Sequence, residues 1–155
     1  MRTYLLLFLF AFGPVNAAAQ DKISYTYTIT QDATNSSLYV VQSTLVNLSN
    51  QDVYFLTQSC NGLDYALKTE SNSLKPYPLI HCNASYPLKQ GLKAHCEYAF
   101  TTIFKAFEPL NESVQIQLEF TTIDQNITPS ELKLAYTTST LSKSTKIIRG
   151  PVINF

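Results

Sequence analysis

The fold of this chain is indicated by residues 92–104, which read Leu-Lys-Ala-His-Cys-Glu-Tyr-Ala-Phe-Thr-Thr-Ile-Phe. Every second residue at the start of this segment is apolar or small: Leu92, Ala94, Cys96, Tyr98 and Phe100. The polar residues between them are Lys93, His95 and Glu97. Because successive side chains of a β-strand point to opposite faces, the pattern predicts one strand with a buried face and a solvated face.

The same alternation recurs along most of the chain. It predicts further strands at residues 23–30, 38–46, 53–56, 65–68, 79–86, 114–120, 132–136 and 146–155. The polar segment 47–52 predicts a turn that joins its flanking strands into a hairpin, and residues 89–91 predict the turn that leads into the strand at 92–104. Residues 130–135 have mild helical character, which we weigh below the strand pattern.

About seven to nine strands, separated by turns at fairly regular intervals, are typical of an all-β domain. A β-sandwich is favoured over a barrel because the chain has only four glycines, too few for the corners of a closed barrel. We therefore predict an antiparallel β-sandwich formed as a single domain by residues 20–155. A domain of this size buries enough surface to fold without metals or many disulfides.

The first nineteen residues have the pattern of a signal peptide. Arg2 precedes an apolar run at residues 4–12, and Gly13-Pro14 and three alanines at 17–19 follow it. The apolar run is much shorter than the ~20 residues that a membrane-spanning helix needs, so cleavage is expected. We therefore expect a periplasmic or secreted protein without a transmembrane segment in the mature chain.

One segment resembles a known family. Residues 44–55 read Thr-Leu-Val-Asn-Leu-Ser-Asn-Gln-Asp-Val-Tyr-Phe. This order of apolar residue, Asn, any residue, Ser and a later apolar residue resembles hairpins in immunoglobulin-like sandwiches of bacterial exported and cell-envelope proteins. The resemblance implies the fold class alone, an immunoglobulin-like antiparallel β-sandwich. The sequence has no tryptophan, which argues against the antibody-type branch.

The charge balance narrows the range of partners. The chain has 11 basic and 11 acidic residues, so its net charge is zero. This balance gives no electrostatic reason to expect nucleic acid as a partner. We expect no cofactor, and the sequence has no glycine-rich loop of the kind that holds phosphate groups. An unidentified protein or carbohydrate is the expected partner.

Three cysteines, Cys60, Cys82 and Cys96, predict one disulfide and one free thiol in an exported protein. The preferred pair is Cys60 with Cys82, which would close the irregular stretch between them. The alternative is Cys82 with Cys96, placed opposite one another in a hairpin centred on Lys89. In the preferred case, Cys96 is a free thiol that is buried as a small apolar residue.

Metal binding and catalysis are not expected. Two His-Cys dipeptides occur at 81–82 and 95–96, but neighbouring strand residues point to opposite faces and cannot share one ion. Two imidazoles alone make a poor zinc site. The sequence also has no Gly-x-Ser-x-Gly motif and no conspicuous pair of carboxylates, so no catalytic residue is predicted.

Three tyrosines around the stretch between Cys60 and Cys82 are candidates for an exposed binding patch: Tyr65, Tyr77 and Tyr86. Aromatic rings give contact area at a small entropic cost, and long loops often carry binding residues. The sequence therefore predicts an exported, non-catalytic binding or interaction module. Two alternatives stay open: a secreted protease inhibitor that uses the same loop, and a small hydrolase or metal-handling protein.

Overall fold

The computed structural model describes residues 23–78, 80, 82–111, 113–141 and 144–155. The predicted signal peptide, residues 1–19, lies outside the described residues. The described strands are β1 (Ile23–Gln31), β2 (Leu38–Asn47), β3 (Val53–Gln58), β4 (Leu67–Thr69), β5 (Leu74–Pro76), β6 (Pro87–Leu92), β7 (Glu97–Ala106), β8 (Ser113–Thr122) and β9 (Ser144–Asn154). They are joined by a short 3-10 helix (Asp64–Ala66) and by helix α1 (Pro129–Thr137).

Two antiparallel sheets form the fold, so the predicted all-β sandwich is confirmed. The first sheet has the order β1-β2-β7-β5. In the second sheet, β8 pairs with β9 along one edge and with β4 and β3 along the other, and β6 pairs with β3. At one side of the sandwich β1 meets β9, and at another β5 meets β4.

The core follows from the period-two pattern of the sequence. Alternate positions of β1 and β8 are buried: Tyr25, Tyr27, Val114, Ile116, Leu118 and Phe120. Phe55 of β3 is fully buried, and its ring centroid lies 5.0 Å from that of Phe120 and 5.6 Å from that of Tyr98. Burial of each such large apolar side chain contributes about 1.5–3 kcal/mol.

Tyr27 closes the side of the sandwich where β1 meets β9. The ladder between β8 and β9 is irregular at Ile116, and the Tyr27 hydroxyl fills the irregularity. The Ile116 N–H donates to this hydroxyl over 2.9 Å, and the hydroxyl donates to the Pro151 carbonyl over 2.5 Å. A Cβ at Gly150 would lie 2.3 Å from the Tyr27 ring, so the close approach requires glycine at this position.

Residues 92–104 do not form one strand, and this prediction was wrong. β6 ends at Leu92, residues 93–96 form a turn, and β7 begins at Glu97. Residues 89–91, predicted as a turn, lie inside β6. The alternation therefore continues across two strands and the turn between them, and it does not mark where either strand ends.

Side-chain hydrogen bonds hold the turn at 93–96. The Asp52 carboxylate accepts the Ala94 N–H over 3.0 Å and pairs with the Lys93 ammonium at 2.6 Å. His95 has a φ of 56°, in the left-handed region that occurs in turns rather than strands. Partners from a distant segment thus replace the strand pairing that the pattern predicted.

Residues 47–52 cross from one sheet to the other, so the predicted hairpin is also wrong. β2 belongs to the first sheet and β3 to the second. The buried Asn47 holds the crossing, because its amide donates to the Gln51 carbonyl over 2.7 Å and to the Leu92 carbonyl over 3.1 Å. The segment that carries the immunoglobulin-like resemblance, 44–55, therefore spans two sheets.

The predicted strand at 132–136 lies in α1. A capping box starts the helix: the Thr128 Oγ1 accepts the Glu131 N–H, and the Glu131 carboxylate accepts the Thr128 N–H. Leu132 is buried against Leu56 in a small second core outside the main one. Within the described residues, no helix is long and apolar enough to cross a membrane.

Candidate functional site

A cleft of about 860 Å³ opens on the side of the sandwich where β4 and β5 meet. Both strands contribute to its walls, through Leu67 and Lys68 from β4 and through Lys75 and Pro76 from β5. Each strand pairs with a neighbour along one edge, and its other edge pairs with no described strand. Unpaired strand edges carry backbone groups that are open to a ligand.

The Cys60–Cys82 disulfide forms part of the cleft wall. It is the pairing that the sequence favoured. The two Cα atoms lie 6.4 Å apart and are separated by 22 residues in sequence. A cross-link over such a loop stabilises the fold by about 3 kcal/mol, because it restricts the unfolded chain. The bond therefore ties the segment after β3 to the segment before β6.

Polar side chains of the cleft are hydrogen-bonded to other parts of the protein. Gln58 donates to the Tyr136 hydroxyl over 3.1 Å and accepts from the Ser85 hydroxyl over 3.1 Å. Asn61 donates to the Ile80 carbonyl over 3.1 Å. These bonds connect β3, α1 and the loop before β6, so they fix the shape of the cleft.

Two titratable groups in the cleft wall have raised pKa values. Burial raises the pKa of Asp64, and the Thr102 hydroxyl, which donates to this carboxylate over 2.6 Å, opposes the shift. Burial, together with the nearby Tyr136, raises the pKa of Tyr65 to about 12. The Tyr65 hydroxyl donates to the Leu56 carbonyl over 3.2 Å. Tyr65 is therefore neutral at physiological pH and held in place, while 42% of it stays exposed.

Lys68 and Lys75 are the cationic residues of the cleft, and both are exposed. Neither makes a hydrogen bond, an ion pair or a ring contact with any described residue. Other lysines do have partners: the Lys93 ammonium pairs with Asp52, and the Lys133 ammonium lies 4.8 Å from the Tyr86 ring centroid. The two cleft lysines are thus available to a negatively charged ligand.

The structure separates the three candidate tyrosines. Of the three, Tyr65 lines the cleft. Tyr86 lies under the Lys133 ammonium, before β6. Tyr77 borders a different cavity, of about 350 Å³, and the Lys105 ammonium lies 5.3 Å from its ring centroid. Tyr65 is therefore the candidate tyrosine that lines the cleft, whereas Tyr77 borders a neighbouring cavity that shares Asn61, Asp64 and Ile80 with it.

Cys96 is exposed and has no disulfide partner among the described residues, so the prediction that it is buried was wrong. It lies at the end of the turn at 93–96 instead of on the inner face of a strand. The His95 Nε2 lies 2.8 Å from the Asn50 Oδ1, and His81 lies outside the described residues. In the part of the chain that the structure describes, no three His, Cys, Asp or Glu residues are grouped as a metal site requires.

Sequence reasoning missed Gln58 and Tyr136 as cleft residues. It favoured the loop 61–81 for binding but did not single out Lys68, Lys75 or Ile80 within it. The Thr-x-x-Glu pattern at 128–131 is the signal that would have placed Tyr136 on a helix. The sequence carries no such signal for Lys68 and Lys75. The two residues lie on β4 and β5, which belong to different sheets, so only the fold places them in one cleft.

The cleft thus combines the exposed ring of Tyr65, two lysines without a partner among the described residues, and two strand edges that pair with no described strand. No family model matches the chain, and no curated protein is significantly similar to it. The geometry of the cleft is the basis for a functional proposal.

Proposed function

We propose that this protein is an exported, non-catalytic binding module whose ligand occupies the cleft between β4 and β5. The observation that carries the proposal is the cleft itself, whose walls come from both sheets and include the exposed ring of Tyr65. Binding sites are typically concave and supported by rigid elements. Here the Cys60–Cys82 disulfide and the hydrogen bonds of Gln58 and Asn61 supply that support.

Two features support export. Disulfides persist in oxidising compartments, and this protein has a disulfide between Cys60 and Cys82. The first nineteen residues of the sequence have the order of a cleavable signal peptide. A relationship to immunoglobulin-like domains stays a prediction that depends on residues 44–55 alone.

A ligand screen tests the proposal. Displayed random peptides and a glycan array are screened against the wild-type protein and the variant Tyr65→Ala/Tyr136→Ala, in which both cleft rings are removed. Ligands that the wild type retains should be lost from this variant. Phe107→Ala is the control, because this ring is 62% exposed and lies outside the cleft. Melting temperatures of all three proteins show whether each is folded.

Two outcomes would contradict the proposal. One is that neither screen gives a ligand for the folded wild-type protein. The other is that every ligand binds the double variant as tightly as it binds the wild type and the Phe107→Ala control. In the second case, ligands bind at a surface other than the cleft.

A secreted protease inhibitor is the second candidate, and Ile80 is the residue that favours it. This side chain is 65% exposed and lies in the loop that the Cys60–Cys82 disulfide closes. An inhibitor presents such a side chain to a protease while its loop resists cleavage. Incubation of the unreduced protein with serine proteases should then give inhibition with the loop intact. Rapid cleavage between the two cysteines would exclude this function.

A further inference from the structure

The unpaired edge of β4 is the part of the cleft best suited to recognise a backbone. An extended peptide adds to a free strand edge through main-chain hydrogen bonds. β5 is a poorer partner, because Pro76 has no N–H to donate. β4 (Leu67–Thr69) contains no proline, and among the described strands its backbone pairs with β8 alone, while the Thr69 hydroxyl donates to the Leu74 carbonyl of β5. The geometry therefore favours an added strand next to β4.

The polar side chains of the cleft argue against a sugar. A carbohydrate needs many free donors and acceptors around its hydroxyl groups. Five polar residues of the cleft already make hydrogen bonds within the protein: Gln58, Asn61, Asp64, Thr69 and Ser85. A peptide depends on these side chains less, because its main chain pairs with the strand edge.

Charge and apolar surface indicate which side chains such a peptide carries. The ammonium groups of Lys68 and Lys75 have no described partner and stand on β4 and β5, so they attract carboxylates. Partly or well exposed apolar side chains lie beside them in the cleft wall: Tyr65, Pro76, Pro78 and Ile80. A strand alternates its side chains between two faces. One extended peptide can therefore present acidic residues to the two lysines and apolar residues to the apolar wall.

We infer that the cleft takes an extended segment of a partner protein in which apolar and acidic residues alternate, and that this segment pairs with β4. The inference depends on the proposed binding function and names its ligand class. It commits to a polypeptide because the free strand edge recognises a main chain.

Fluorescence anisotropy with labelled peptides tests the inference on the full chain. The probe is a short peptide of alternating Val and Glu, and two comparison peptides replace each Glu by Lys or carry N-methyl groups on alternate backbone nitrogens. The acidic probe should bind, and its affinity should fall as salt is added. The Lys peptide and the N-methylated peptide should each bind at least about tenfold more weakly, because they lose the charge match or the strand pairing.

A charge-reversal pair locates the binding. Lys68→Glu/Lys75→Glu should weaken binding of the acidic probe about tenfold, since two attractive pairs become repulsive. The matched control is Lys146→Glu/Arg149→Glu, which makes the same change of charge on β9, outside the cleft. The control should bind the probe as the wild type does. Circular dichroism verifies that both variants keep the β-sheet spectrum.

The outcomes separate this inference from the proposed function. Equal binding of the acidic and Lys peptides, or an equal effect of the two charge reversals, overturns the charge argument. Equal binding of the N-methylated peptide overturns strand addition. If the acidic probe fails while the screens give a ligand that requires Tyr65 and Tyr136, the binding function stands and the ligand class is wrong. If the screens also fail, both proposals fall.

Discussion

Two sides of the sandwich, where β1 meets β9 and where β4 meets β5, are closed by different means. At the first, the Tyr27 hydroxyl bonds two backbone groups, and Gly150 lets its ring lie against the opposite strand. At the second, the Cys60–Cys82 disulfide joins the flanking segments and a cleft remains open. A side chain that pairs with backbone groups fills the space between two sheets. A disulfide in the connecting loops ties those loops together at the cleft wall and leaves the space free.

Removal of the disulfide should have the largest effect on stability. Cys60→Ser/Cys82→Ser is expected to lower the free energy of unfolding by about 3 kcal/mol, because the unfolded chain regains the freedom of the loop. Urea unfolding without reductant measures the loss. The control is Cys96→Ser, an exposed thiol outside the disulfide, for which a change within ~0.5 kcal/mol is expected. Equal stability of the two variants would show that the cleft side does not depend on its cross-link.

Gly150→Ala should destabilise the side of the sandwich where β1 meets β9. The added methyl group would overlap the buried Tyr27 ring, and overpacking of this kind costs about 2 kcal/mol. Thermal and urea unfolding measure the change. Gly91→Ala is the matched control, because its Cβ would meet the Tyr54 ring at 3.3 Å, a much less severe contact. Equal effects of the two substitutions would contradict the close approach that we describe between β1 and β9.

Tyr27→Phe tests the hydrogen bonds at this side without changing its packing. The Ile116 N–H loses its partner, and an unsatisfied buried donor costs about 1.5 kcal/mol. Amide exchange at Ile116, followed by NMR, should become faster. Tyr39→Phe is the control, because among the described residues its hydroxyl accepts one long hydrogen bond, from Gln31 over 3.4 Å. Unchanged amide exchange at Ile116 would mean that the Tyr27 hydroxyl does not accept a hydrogen bond from the Ile116 N–H.

Alkaline pH should reveal tyrosines that ionise late, Tyr25 in β1 and Tyr65 in the cleft wall, with no effect at neutral pH. Burial raises the pKa of Tyr25 and Tyr65 to about 12, above the ordinary value of 10.0. The folded state therefore binds more protons than the unfolded state between these values, and stability falls as pH rises through this window. Absorbance titration should show late-ionising tyrosines in the native protein that ionise near pH 10 in urea. Tyr25→Phe should remove one of them, and an unchanged titration would contradict its burial.

Local patterns were sufficient to predict much of the sandwich. Thr26 and Thr28 alternate with buried tyrosines in β1, and glutamines alternate with buried aliphatic residues in β8. In β1 one face lies in the core and the other is exposed, so the sequence reflects its surroundings directly. In β8 the polar row is partly covered, because Gln117 is buried and donates to Glu70. The all-β sandwich class follows from this pattern, although individual strands such as β5 and β6 do not.

Long-range contacts explain the failures. Asn47 has the local sequence of a hairpin turn, but its amide bonds to Leu92, 45 residues away, and the chain crosses between sheets. The turn at 93–96 likewise depends on Asp52. No periodicity within either segment reports a partner so distant.

The candidate site was predicted only in part for the same reason. Tyr65 and the two disulfide cysteines stand in one irregular stretch, and its composition pointed to a binding loop. The opposite wall comes from β5 and α1, and the latter was interpreted as a strand. Tyr136 therefore became visible as a cleft residue only through the fold, whereas Lys75 lies in the stretch between the two cysteines but was not distinguished from its neighbours there.

The buried amide of Asn47 has a consequence for how this protein can be made. Asn47-Leu48-Ser49 is an acceptor sequence for N-linked glycosylation. A glycan on that nitrogen would disrupt its hydrogen bonds to the Gln51 and Leu92 carbonyls and would have no room inside the fold. In a eukaryotic secretory host, chains that receive sugar at this position would be unable to form the crossing between the sheets. The yield of native protein there would be limited to chains that escape modification.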